Sequence, residues 1–518
     1  MQTPVKEFMQ RIMLNLLRKK NPDEFLEQSA TGGLKKTLNA FDLIILGISA
    51  IIGAGIFVMI GSAVIGTTER VGAGPALVIS IFIVAIACIF PALCYAEFAS
   101  MIPVSGSAYI YTFSTMGEFA AWMMGWVLML EYAIGTIAVA SSWTGYLIKL
   151  FQGFPWLPEV FKNPPVWLIN DYQAAVEAGG NIPHFLGIPI CMNLPAMCII
   201  LIIAAILFKG IQESANFAKI MVFVKVAVIG MFILVGAFYV RPENWTPFAP
   251  TGLKGILMGA FAIFYAYIGF DAISTAAEET KDPQKNLPIG LIGSLLICSV
   301  IYALVTFVLT GMIPMGQIDL KAPIAHAMSF VGQDWYAGII SIGALAGLTS
   351  VLLVLQYGTT RILFAMARDG FLPPVMKKLH PKFQTPWVIT VLSTVLMLIG
   401  SLFINMQVAA ELAIFGTFTS FVIVCVGILI LRKTEPDRHR PFKVPCCPWF
   451  PIIGIVFCTG LMVVALGEVK TASKLFPLWI VIGIIIYFLY GYPSNRKLLA
   501  MQAKKIEVKE ETKEVEVK

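Results

Sequence analysis

Gly47-Ile48-Ser49-Ala50-Ile51-Ile52-Gly53-Ala54-Gly55-Ile56-Phe57 lies inside an apolar run and carries three glycines, two of them separated only by Ala54. Glycine brings no side chain and a wide choice of φ, so a helix through this run can open between Gly53 and Gly55. In lipid, an opened helix leaves N–H and C=O groups without partners, which is costly unless protein, water or a ligand replaces them. The half-helix after the break points its positive N-terminal end into the gap, and the half before it offers carbonyls. These suit a carboxylate and an ammonium respectively. On this stretch alone, a glycine notch for close helix contact explains the same residues. A second interrupted helix would separate the two readings.

The chain has 518 residues, 58% hydrophobic and only 13% charged, with a mean hydropathy of +0.82. That is the composition of a polytopic, all-α membrane protein. A spanning helix needs ~20 apolar residues. Twelve candidate spans start near Phe41, Pro75, Phe119, Leu194, Asn216, Gly255, Pro288, Ala337, Pro386, Val408, Trp449 and Phe476, the fourth being short. With the N-terminus inside, 28 of the 37 Lys and Arg fall in cytoplasmic segments and 8 in outer loops, with Lys225 inside a span. This asymmetry predicts a multi-pass protein of the cell membrane with both termini cytoplasmic. The net charge of +7 is that bias and calls for no nucleic-acid partner. The first 40 residues lack the long apolar core of a cleavable signal; Phe8, Met9, Ile12, Met13, Leu16 and Leu17 recur at helical spacing, as in a helix on the inner membrane surface or in a mobile tail. The nine cysteines are scattered, and His184, His326, His380 and His439 are far apart, so no metal site is expected.

Along the chain, isolated ionisable groups stand out. Glu131, in the third span, costs ~3 kcal/mol at mid-membrane, so it faces a cavity or a partner, or makes a structural hydrogen bond while protonated. Residues 151–193 form a long outer segment, read as a cap over the outer vestibule. Lys225 lies roughly 13 Å into the fifth span, too deep to snorkel. Desolvated there, it could gain and lose a proton near neutrality, or stay charged on carbonyls or paired with Glu131 or Asp271.

The sixth span, Gly259-Ala260-Phe261-Ala262-Ile263-Phe264-Tyr265-Ala266-Tyr267-Ile268-Gly269-Phe270-Asp271, supplies a second interruption. It begins outside whereas the first begins inside, as expected of two five-helix units of opposite topology with a ligand at the midplane. The glycine notch alone no longer suffices. The expected organisation is a cytoplasmic segment 1–39, a first repeat 40–240, a second repeat 254–431, two further helices in 448–494 and a cytoplasmic tail 495–518. The segment from Ala277 to Pro288 reads as a solvated inner loop, Thr360 to Pro373 as a helix against the inner gate, Glu411 as interfacial and the tail from Lys504 as solvated or disordered.

Five motifs now stand in order: Ile52-Gly53-Ala54-Gly55-Ile56-Phe57, Leu130-Glu131-Tyr132, Ala266-Tyr267-Ile268-Gly269-Phe270-Asp271, Glu278-Glu279-Thr280-Lys281-Asp282-Pro283 and the run from Arg361 to Pro373. Together they resemble the amino acid, polyamine and organocation (APC) superfamily, within it the bacterial cationic amino acid transporter (CAT) family, over roughly residues 30 to 495. The resemblance implies a LeuT-type fold of five plus five inverted helices with two more, and proton-coupled import of L-amino acids without a cofactor, the proton gradient being the driving force. It implies that Ile51, Gly53, Ala54 and Gly55 bind the substrate's carboxylate and amine together with Tyr265, Ala266 and Ile268. Glu131 and Asp271 would line the side-chain end or its water network. Lys225 would take the place of a sodium ion, with Thr349 and Ser350 as candidate neighbours. Ala54 stands where relatives often carry Thr, and Tyr265 where Phe is common, so the substrate is open: a cationic one such as Arg or Lys, or a broader range.

Two functional readings follow, a proton symporter and an amino acid exchanger in which Lys225 is a fixed charge; a receptor on the same fold is a third. A channel would need a continuous polar lining, and an enzyme a convergent nucleophile and base. Neither pattern is present. The expected partners are an amino acid and the lipid bilayer; the sequence is silent on oligomeric state.

Overall fold

The structure is a computed structural model that describes residues 16–20, 38–102, 107–177, 179, 182–185, 188–189, 191–209 and 212–501. Helix α1 (Ala40–Ile51) is started by Asn39, whose side chain accepts the N–H of Phe41 and Asp42 while Asp42 accepts the N–H of Asn39. Such a reciprocal cap contributes about 1 kcal/mol and fixes where the helix begins. At Ile52 the backbone turns extended, and the chain resumes as a π-helical turn, Gly55–Met59, that runs into α2 (Ile60–Ile65). The halves are bent by 43°. A Cβ on Gly55 would lie 2.1 Å from Cα of Ala266, and one on Gly53 2.6 Å from Cγ2 of Val351. The glycines therefore serve as a break and as a contact notch at once.

The chain continues through α3 (Leu77–Met101), α4 (Ser107–Thr115), α5 (Glu118–Gln152), α6 (Leu194–Lys209), α7 (Gln212–Gly236), α8 (Gly252–Phe264), α9 (Pro283–Met312), α10 (Pro323–Phe330), α11 (Asp334–Arg368), α12 (Trp387–Phe403), α13 (Met406–Thr434), α14 (Trp449–Leu466) and α15 (Lys470–Ile486). Among the described residues, eight helical stretches are long and apolar enough to cross a membrane, or nine with the bent α1–α2 pair. Three shorter apolar helices, Leu194–Lys209, Gly252–Tyr267 and Trp387–Phe403, fall where the sequence predicts spans four, six and nine. The start of span seven is corrected: the helix opens at Pro283, behind Asp282, and Pro288 lies inside it. Proline suits position 283 because the first turn has no intrahelical partner for its missing N–H, whereas Pro288 leaves one carbonyl of the preceding turn without its donor.

Helix α8 ends in a 3₁₀ turn, Tyr265–Tyr267, after which Ile268 is extended and Gly269 takes φ +104° before a 3₁₀ run, Phe270–Glu279. Only glycine adopts that φ without strain. A Cβ on Gly269 would lie 3.3 Å from the Ala50 carbonyl oxygen, so the second break rests against the first.

Helices α5 and α11, 35 residues each, run about 52 Å and form the spine, with α5 packed along α11 and α13. Phe82, Ile86, Phe223, Leu396 and Leu489 are exposed, which costs nothing against lipid tails.

Residues 16–20 and 495–496 meet on one face, where Arg18 and Arg496 reach Glu118 at 3.2 and 2.9 Å and Lys20 reaches Asp369 at 3.1 Å. Residues 8–15 of the expected surface helix and the tail from Lys504 lie outside the described residues. Leu16, by contrast, packs against the core, and the Leu17 backbone lies 2.8 Å from where a Gly117 Cβ would be while its side chain is exposed. The expected solvated loop after the second break is exposed at Lys281, Asp282, Gln284 and Lys285, but its start is corrected, because Thr280 is buried and the Lys281 N–H donates to Leu38 O at 2.8 Å. Asp369, at the end of α11, accepts from Tyr109 Oη at 2.8 Å, which ties α11 to α4. On the opposite face a cavity of ≈ 980 Å³ opens, walled in part by Asn170 and Asp171 of the segment 151–193 and by Lys149, Lys321 and Glu411.

Candidate functional site between the two interrupted helices

The unwound ends of α1 and α8 face each other at the centre of the helix assembly, and two side chains hold them there. Lys225 of α7 is buried, and its Nζ donates to Ser49 O at 2.7 Å, Ile52 O at 2.8 Å and Ser350 Oγ at 3.3 Å. Those two carbonyls belong to the last turn of α1, which the break leaves without intrahelical donors. Ser350 Oγ in turn donates to Gly347 O at 2.7 Å, so its lone pairs face the lysine. An ammonium has three protons, and here each has an acceptor. A neutral amine would lose one of these bonds and turn its lone pair toward oxygen. Of the two candidate neighbours, Ser350 touches Lys225, whereas the Thr349 hydroxyl accepts from Trp143 Nε1 at 3.1 Å and donates to Leu345 O.

The second tie is Tyr302 of α9, which no sequence signal separated from its apolar surroundings. Its Oη lies 2.8 Å from both Ile51 O and Ala266 O, bridging the two breaks through one hydroxyl. With a single proton to donate, it satisfies one carbonyl at a time.

Between the breaks lies a cavity of ≈ 20 Å³, lined by Ile51, Gly53, Ala54 and Gly55 of the first break and Tyr265 and Ile268 of the second. That is room for about one water, so an amino acid requires the helices to part. Ala266 abuts Gly55 behind it. Ala50 of α1, Gly135 and Val139 of α5 and Val351 and Leu355 of α11 complete the wall. Sequence patterning missed the four on α5 and α11 because Gly, Val and Leu on these helices look the same whether they face a cavity, protein or lipid. Tyr265 Oη donates to Gly135 O at 3.3 Å across the cavity.

Glu131 and Asp271 are not part of this lining. Both are buried, on α5 and in the 3₁₀ run after Gly269. Tyr132 Oη donates to Asp271 Oδ2 at 2.6 Å, the length of a charge-assisted bond. Glu131 lies against Gly416 of α13, beside Thr417. Lys225 contacts neither acid by hydrogen bond or ion pair among the described residues, so of the fixed-charge arrangements considered above, the carbonyl-bound one is observed.

Two further charged groups close the ends. The loop after α2 turns at Gly66 and at Thr67, whose Oγ1 accepts the N–H of Glu69 and Arg70, and this aims Arg70 back into protein. Arg70 donates to Ser62 O and Oγ at 3.2 and 3.1 Å, and its Nε lies 3.8 Å from Glu411 Oε1. Burial pulls its guanidinium down to about 10, with Glu411 opposing the shift, so it stays charged at neutral pH. Glu411, near the start of α13, is buried and paired with Arg70 beside the large cavity. On the other face, Glu97 accepts from Arg432 at 2.8 and 2.6 Å and from the Val444 N–H at 2.7 Å.

These features meet a matching set of relatives. The amino acid permease family profile matches residues 38–491. The methylthioribose transporter of Bacillus subtilis is 43% identical over 480 residues, covering 92% of this chain and 98% of its own. The branched-chain amino acid permease BcaP of the same organism is 44% identical over 487 residues, covering 93% and 99%. Cationic amino acid transporter 9 of Arabidopsis thaliana is 37% identical over 408 residues, covering 78% and 68%. The chain belongs to the amino acid permease family of the APC superfamily, a family of membrane transporters and not of enzymes.

Proposed function

We propose that this permease imports an L-amino acid together with a proton by alternating access, and that the site between the two breaks is where the substrate binds. The observation that carries this reading is Lys225, whose ammonium ties the open end of α1 to α7 and, through Ser350, to α11. Losing its proton removes a donor and weakens that tie, so protonation and the position of the first half-helix are linked. The substrate's carboxylate would meet the N–H groups of Gly53 to Gly55 and its amine the carbonyls at the breaks. Glu131 and Asp271 would act on water or protons beside the cavity rather than on the side chain.

The architecture in this reading has twelve spans, the nine long ones and the three shorter apolar helices, arranged as five plus five inverted helices and two more. The meeting of residues 16–20 with 495–496 on one face fits an even number of crossings, and the charge asymmetry favours the cytoplasm for that face. The large cavity on the opposite face would then open to the outside.

A second reading, exchange without proton movement, is favoured by the same saturation of Lys225: a cation with three acceptors is well suited to remain fixed. Purified protein in liposomes, given radiolabelled alanine, leucine and arginine with and without an inward proton gradient, tests both. Stimulation by the gradient is the expected result. Uptake that ignores the gradient but requires internal amino acid would establish exchange instead.

A further inference from the structure

A groove of ≈ 680 Å³ on the outside of α9 has two unlike walls. Ile289, Ile292 and Leu296 of α9 form an apolar wall below Lys285, and Pro441 and Phe442, between α13 and α14, face them. Lys285 is the only charged residue in the sequence of α9, so the helix enters hydrocarbon just beyond it. Leu296, eleven residues on, lies about 16 Å deeper, half the ~30 Å thickness of a hydrocarbon core. The groove therefore has the depth of one leaflet. Its second wall is fixed by hydrogen bonds and charge: the Phe442 N–H donates to Ser100 Oγ at 3.4 Å, the Val444 N–H to Glu97 at 2.7 Å, and the buried Arg440 lies 3.3 Å from the same carboxylate.

The charge at the head of the groove is uncompensated. Lys285 and Lys443 are exposed, and no carboxylate pairs with either among the described residues. Two acids of this region are already taken, Glu97 by Arg432 and Arg440 and Glu435 by Arg438, and Asp282 stands at the same end but outside the lining. We infer that the groove holds an anionic phospholipid, with its phosphate at Lys285 and one acyl chain along Ile289, Ile292 and Leu296. The unpaired lysine selects the head and the apolar wall takes the chain. A second copy of this protein docked through the same groove would bring two Lys285 side chains together, which like charges oppose. The site lies apart from the cavity between the two breaks and does not depend on what the permease carries.

The test is native mass spectrometry of the full-length protein in detergent, titrated with phosphatidylglycerol or with phosphatidylcholine of equal chain length. The unsubstituted protein is expected to retain phosphatidylglycerol with about fivefold preference, the effect of one basic side chain beside an anionic lipid. Lys285→Ala should abolish that preference and Lys285→Arg should keep it. Lys378→Ala, on an exposed loop outside the lining, should also keep it. Ile289→Trp, at a position already 42% exposed and so compatible with folding, should block the chain and remove the bound lipid. Equal retention of the two lipids, or a preference that survives either Lys285→Ala or Ile289→Trp, would overturn the site. Displacement of phosphatidylglycerol by inorganic phosphate would reduce it to an anion site without a chain, and a doubled mass that Ile289→Trp returns to that of a single chain would make the groove a contact between copies. Either result overturns the lipid.

Discussion

The two interrupted helices open in the same place but are closed by opposite means. In the first, the unpaired carbonyls of Ser49 and Ile52 are taken by a cation from another helix, Lys225. In the second, the turn is built into the chain by Gly269 at φ +104°, and the charge beside it is an acid, Asp271, held by Tyr132. In the proposed proton-coupled reading, the first break depends on a proton that can leave and the second on backbone geometry. In that reading the first half-helix is the element that moves with protonation, and the second is the wall it moves against. Tyr302, bridging Ile51 O and Ala266 O, is a hydroxyl common to both.

Removing the cation should do the most damage. Lys225→Ala leaves two buried carbonyls unsatisfied, about 1–3 kcal/mol each, and gradient-driven uptake in liposomes is expected to drop at least about 100-fold, with substrate binding partly retained. Uptake that keeps its response to the gradient would break the contrast between the two ends. Gly269→Ala should come next, because a left-handed φ costs an L-residue roughly 1–2 kcal/mol. The expected result is a lower Tm and reduced uptake with an unchanged response to the gradient; loss of that response would mean that the second break also titrates. For Asp271→Asn, uptake should fall about tenfold, an effect on the scale of a lost charge-assisted hydrogen bond, and to the same extent for alanine and arginine. A loss confined to arginine would put the acid back at the side-chain end of the substrate. The smallest effect is expected for Tyr302→Phe, which removes one neutral hydrogen bond of about 1 kcal/mol. A few-fold fall in affinity for all amino acids, read by displacement, would fit a shared tie.

Both breaks were legible in the sequence because glycine and an ionisable residue are conspicuous in an apolar run. Gly53 to Gly55, Lys225 and Gly269 to Asp271 announced themselves in this way, and the spacing of apolar runs predicted the order of the helices. The cavity wall was not legible. Val139, Val351 and Leu355 have the same chemistry as the lipid-facing Leu396 or Leu489, and in lipid the hydrophobic pattern does not distinguish a face turned to protein from one turned to the bilayer. Arg70 and Glu411 were hidden for a different reason. An arginine in an outer loop reads as solvated, and its partner lies in α13, far along the chain, where only the turn at Gly66 and Thr67 brings them together. The same applies to Glu97 of α3, whose partner Arg432 lies 335 residues further along the chain, in α13.

The most direct measurement of the central claim is proton movement itself. Liposomes containing the protein and a pH-sensitive dye, with no internal amino acid and no imposed gradient, would receive external alanine. The account predicts acidification of the lumen that follows alanine uptake at a ratio of about one proton per amino acid and is absent in Lys225→Ala. Alanine uptake with no change in internal pH would contradict it.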